Sequence, residues 1–143
     1  MARHSEQVVL AVQAMVEAAL PSAQVERDAP WPFRVESGGQ VIVRDGEPGE
    51  PEECFSPNAF TYRHAIPLEV FAPEGVADRH AFMDDMLTAL ADRLEMDRSL
   101  GGLCSWADLD APSPDDVASA ASQPIRAAVV TLTAEYTTTR RLG

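Results

Sequence analysis

The chain contains no lysine: all 11 of its basic residues are arginine, set against 23 acidic ones, for a net charge of −12. That shortage of positive charge excludes nonspecific nucleic-acid binding and docking on anionic membranes, both of which need clustered cations. Arginine-only usage reads as the mark of a GC-rich genome rather than of a set of bidentate ion pairs. Cysteine is scarce too. Cys54 and Cys104 are the two present, without CxxC spacing, and they read as reduced thiols of a cytoplasmic product, not as a disulfide framework. No apolar run approaches the ~18 residues of a membrane span, and the first residues lack the charged-then-apolar order of a signal peptide. The sequence therefore predicts a soluble protein made in the cytoplasm.

Catalytic patterns are equally thin. His4, His64 and His80 show neither HxxxH nor HExxH spacing, the order that brings metal-binding imidazoles to one helix face. No serine sits in a GxSxG elbow, and Cys104 has no histidine partner visible in sequence. Asp84 and Asp85 are neighbours on a helix and point about 100° apart, so they do not grip one ion. Gly38-Gly39 and Gly101-Gly102 read as turn and helix-stop glycines rather than phosphate cradles. His64 lies on the apolar face of a strand and reads as a core or interface histidine, and Trp31 and Trp106 as core or interface anchors. No catalytic residue, cofactor site or metal ligand is assigned, and the chain is not expected to be an enzyme.

What is present is a chain of 143 residues with 45% hydrophobic content, enough for one domain that folds without cross-links. Ser5 is expected to cap a helix reaching residue 20, with Val8, Val12, Met15, Val16 and Ala19 as its apolar stripe. Pro21 ends it. A short strand over 24–28 is followed by an irregular stretch around Trp31. Strands over 33–36 and 40–45 are expected to form a hairpin around Ser37-Gly38-Gly39. Residues 45–53, with two prolines, two glycines and five carboxylates, read as an exposed acidic loop. Alternation over 60–71 puts Phe60, Tyr62, His64, Ile66, Leu68 and Val70 on one face, and Pro67 suggests an edge strand or a bulge. Asp78 caps a second helix over 79–97 with a stripe of Phe82, Met83, Met86, Leu87, Leu90 and Leu94, ending at Leu100-Gly101-Gly102. A short strand over 103–109, a loop over 110–123 and a long two-faced strand over 125–139 complete the chain. The sequence thus predicts an α+β fold, a mainly antiparallel sheet with two helices packed on one face. A strand of ~15 residues extends about 50 Å, while a compact domain of this size is narrower than about 40 Å. Either that strand bends or one end projects toward a neighbouring chain.

The strings LTALADRLEMDRSLGGLCSW and PIRAAVVTLTAEYTTTRRLG, with VIVRDGEPGE and FTYRHAIPLEVFA before them, give the chain from residue 41 onward a familiar look. It resembles the small tail-terminator (tail completion) proteins of long-tailed phages and of related gene transfer agents. The resemblance implies a virion structural protein synthesised in the bacterial host cytoplasm. Such a protein would form a homohexameric ring on the head-proximal end of the tail, stop polymerisation of the major tail tube protein and dock a neck or stopper protein. DNA would pass through the lumen without specific binding. The same residues are compatible with a neighbouring neck component (stopper or head–tail adaptor), or with a small cytoplasmic α/β binding module or enzyme. The candidate interaction residues are the carboxylates Asp45, Glu47, Glu50, Glu52 and Glu53 of the acidic loop, Asp115 and Asp116, and the basic pair Arg140 and Arg141. A basic tail of this kind suits docking on acidic loops.

Overall fold

The computed structural model describes residues 2–118 and 124–143, with backbone alone at 114–118 and 124–126. Two helices and seven strands follow in the order α1 (His4–Ala19), β1 (Gln24–Arg27), β2 (Gln40–Val43), β3 (Glu52–Phe55), β4 (Asn58–Phe71), α2 (Arg79–Met96), β5 (Trp106–Leu109), β6 (Ser113–Ala118) and β7 (Pro124–Thr138). The seven strands fill five lanes. The order is β1, β2, β4, β7, β5, with β3 sharing the β2 side of β4 and β6 sharing the β5 side of β7. All pairings are antiparallel except β1 with β2. This is the expected α+β class.

The spine is the β4–β7 ladder, twelve register pairs from Phe60↔Thr138 to Phe71↔Ala127. Side chains alternate across a strand, so one face of this ladder collects Tyr62, His64, Ile66, Leu68 and Val70 from β4. Ala128, Val130, Leu132, Ala134 and Tyr136 join them from β7, and all are buried. Both helices pack on that face, α1 through Val8, Val12 and Val16 and α2 through Met83, Met86, Leu90 and Leu94. The Asp78 carboxylate caps α2, accepting from Ala81 N–H at 3.1 Å. At its other end the Asp97 carboxylate accepts from Ser99 and Gly101 N–H, and the positive φ of Leu100, Gly101 and Gly102 turns the chain away. The smaller opposite core of Val35, Ile42, Phe71 and Ala127 is covered by Ala29 and Trp31. Trp31 stands edge-on to Phe71 at 5.6 Å, and its indole N–H donates to Glu69.

Several local expectations are corrected. Ser5 lies inside α1, which starts at His4 without a side-chain cap, and the Ser5 hydroxyl is buried with no partner among the described residues. Residues 33–36 form no strand. β2 instead runs parallel to β1 (Gln24↔Gln40) and pairs its other side with the end of β4, so the stretch from 28 to 39 is a crossover rather than half of a hairpin. Gly38 there passes so close to Ser22 that a Cβ would lie 1.8 Å from the Ser22 carbonyl oxygen. The acidic segment is not loop throughout. Glu47 exchanges two backbone hydrogen bonds with Ala65, each 3.1 Å, and Glu52 and Glu53 begin β3, a hairpin partner of β4. Pro67 occupies the central strand, not an edge, and the bulge is what the register shows: between Val43↔Leu68 and Glu47↔Ala65 the three residues 44–46 face the two residues Ile66 and Pro67. The Pro67 carbonyl accepts from Arg44 N–H. Within the expected 110–123 loop, residues 113–118 are strand β6. Residues 119–123 of that loop lie outside the described residues.

Leu132, fully buried on β7 between Ile66 of β4 and Leu109 of β5, is a direct test of this core. Leu132→Ala should cost about 2–5 kcal/mol in urea unfolding, whereas Thr137→Ala on the exposed face, which loses only a hydroxyl contact with Thr61, should cost no more than about 1 kcal/mol.

Candidate functional site

Tyr62 and Tyr136 face each other directly across the spine, their ring centroids 5.8 Å apart. His64, two residues along β4, is 3% exposed. Its Nε2 lies 2.6 Å from the Asp45 carbonyl oxygen and its Nδ1 2.9 Å from the Tyr136 hydroxyl. A carbonyl only accepts, so Nε2 carries the hydrogen and Nδ1 accepts from Tyr136. Burial lowers the His64 pKa, with the Asp45 carbonyl and carboxylate opposing it, and raises that of Tyr136 to about 12. The Tyr62 hydroxyl donates to the Arg141 carbonyl. The cluster therefore ties the spine to both the acidic segment and the C-terminal tail. With both nitrogens committed, His64 has no lone pair left to act as a general base.

Beside this cluster lies a polar cavity of about 210 Å³ lined by Arg3, Ser5, Glu6, Arg27, Asp45 and His64 among others. Arg27 holds it together. Its Nη1 and Nη2 reach the Glu6 carboxylate at 2.5 and 2.7 Å, and its Nε reaches Asp45 at 2.6 Å. These hydrogen bonds pull the Glu6 and Asp45 carboxyls below their usual range. Burial pushes the Cys104 thiol up to about 11, which leaves it unreactive at neutral pH. Among the described residues no group of three His, Cys, Asp or Glu is placed to hold a metal ion.

The expected interaction residues fall into three places. Asp45 belongs to the Arg27 triad. Glu47, Glu50, Glu52 and Glu53 are exposed along the acidic segment, and Glu53 lies 3.8 Å from the Arg141 guanidinium, so the basic tail does reach the acidic segment within one chain. Arg140 is exposed, its backbone braced by Thr138. Asp115 and Asp116 sit on β6 opposite Ala127 and Arg126, and their side chains lie outside the described residues. Sequence reasoning missed Arg27 as the organiser of Asp45. It also missed Phe55, 75% exposed beside the exposed Cys54. Trp106 is 38% exposed and is not a core residue. The tyrosine–histidine contact had a signal, since all three residues hold inward positions of the expected strands, but only the register brings them together.

His64 makes stability pH-dependent with a definite sign. A folded pKa below the unfolded value near 6.5 means that the unfolded chain takes up the proton first. Stability is full above pH 6.5 and falls as pH drops below it toward the folded pKa. Urea midpoints between pH 7.5 and 5.5 should fall in the native chain and flatten in His64→Gln, which keeps one donor and one acceptor without titrating. Tyr136→Phe, which removes the donor to buried Nδ1, should cost about 1–3 kcal/mol at pH 7.5.

No family model matches the chain, and neither does any curated protein.

Proposed function

We propose that this chain is a virion structural protein, a tail terminator that assembles into a ring on the head-proximal end of a phage or gene-transfer-agent tail tube. The observation that carries the reading is the β6–β7 ribbon. Its pairs Asp116↔Arg126, Val117↔Ile125 and Ala118↔Pro124 continue past Phe71↔Ala127, the last pair of the spine. Three pairs at ~3.3 Å each carry it about 10 Å beyond the sheet. A two-stranded ribbon gains little stability alone, so contact with a neighbouring subunit or ring gives it the support that the chain's own core does not.

Other features agree. β3 and β1 leave open strand edges on one side of the sheet, and β5 and β6 on the other, and edges of this kind pair with neighbours unless blocked. The surface carries a large excess of negative charge, which suits a channel that lets DNA pass without sticking. The carboxylates of the acidic segment are the ones we assign to the lumen or to the adjoining ring. The established geometry of the His64 cluster serves as a brace, not as a reaction centre.

Light scattering across a wide concentration range tests the reading. A species of six subunits, each of 15.5 kDa, is the expected outcome, either free or after addition of tail tubes. A stable dimer at every concentration, unchanged by tubes, overturns it.

A further inference from the structure

A cavity of about 500 Å³ opens between the first turn of α1 and the end of β7, with Arg3 and Arg140 in its walls. No Asp or Glu lines it, which runs against the composition of a chain with 23 acidic residues and 11 basic ones. Four other cavities of the fold each have at least one Asp or Glu in their walls. Arg3 and Arg140 are both exposed. Among the described residues neither guanidinium has a hydrogen bond or an ion pair, Gly143 of the same wall included. Glu6 feels Arg3 only at a distance, and its carboxylate is held by Arg27 and lines a different cavity. Convergence, not the lack of a partner, marks the place, since Arg34 on the crossover is equally unpaired among the described residues.

The remaining wall adds donors of the same kind. α1 starts with no side-chain cap, and its ladder begins with Gln7 N–H on the Arg3 carbonyl at 3.0 Å. The amides of His4, Ser5 and Glu6 therefore have no partner within the helix, and amides in that position favour an anion. The Ser5 hydroxyl, 5% exposed, is also unpartnered among the described residues. It lies against Gly143 of the cavity wall, where a Cβ would stand 3.3 Å from it. Opposite the helix, Thr138 fixes the Arg140 backbone through two hydrogen bonds, and the Thr139 hydroxyl engages nothing among the described residues.

We infer that this cavity binds a small phosphate compound, its oxyanion held between Arg3 and Arg140 and against the first turn of α1. Guanidinium forks match the oxygens of a phosphate group in charge and geometry, and the volume leaves room for an organic remainder beyond it. A polyanion such as nucleic acid does not suit the place. Two cations serve one phosphate, and the acidic surface beyond them repels the next. The site is independent of the ring reading above.

Isothermal titration of the intact chain with inorganic phosphate, at fixed ionic strength, tests the site. We expect saturable binding of one phosphate per chain, weakened about tenfold or more by Arg3→Gln or by Arg140→Gln. Arg34→Gln, which removes the same charge from an exposed position away from the cavity, should leave the affinity unchanged. Because the two replaced side chains are exposed and unpaired, urea midpoints without phosphate should match that of the native chain. Binding that survives Arg3→Gln/Arg140→Gln, or that falls as much in Arg34→Gln, overturns the assignment. So does the absence of saturation by about 10 mM phosphate. Displacement of the bound phosphate by a short single-stranded DNA overturns the choice of a small ligand.

Discussion

The antiparallel ladder between β4 and β7 is the interaction on which the remaining structure depends. Its inward side chains supply most of the sheet's contribution to the main core, and both helices bury their stripes against it. Every other strand except β1 pairs with one of these two, and β1 reaches them through β2. The ladder also decides which polar groups meet. Because Tyr62 opposes Tyr136 and His64 opposes Ala134, the histidine ring lies diagonal to the Tyr136 hydroxyl and can accept its proton. A shift of β7 by one residue would turn Tyr136 to the face opposite Tyr62 and undo the contact.

Charge is arranged around this frame with local economy. Arg27 answers Glu6 and Asp45, Arg44 answers Glu69, and Arg98 answers Asp108. With so few cations and so many carboxylates, most acidic side chains stay in water, where each costs little but the sum repels other acidic surfaces.

Periodic elements were readable in the sequence because their signal is local. The stripes of α1 and α2, the Asp78 cap, the glycine stop after Leu100, and the alternation of β4 and β7 all follow from spacing within a dozen residues. Pairing was not readable, since nothing in residues 24–43 says whether β1 and β2 run parallel. The paired glycines at 38 and 39 suit a hairpin as well as they suit a close pass over Ser22. Pro67 marked the irregularity, since it sits where the neighbouring lane carries one extra residue, but a proline alone does not say whether that irregularity is an edge or a bulge. β3 and β6 were read as loop because Glu52, Glu53, Pro114, Asp115 and Asp116 disfavour interior strands. At a sheet edge the same residues are tolerated and discourage unwanted pairing. The exposure of Phe55 has no sequence signature, because exposure is a property of the finished fold.

The flanking lanes are each built from two short strands, β2 with β3 and β5 with β6, while the spine between them is uninterrupted. Such a sheet resists tension unequally in different directions. A pull along the strands loads the twelve pairs of the seam at once, while a pull across them peels the short outer strands off one at a time. A subunit placed with β4 and β7 along the direction of load would hold like a lap joint, and its edges would yield first.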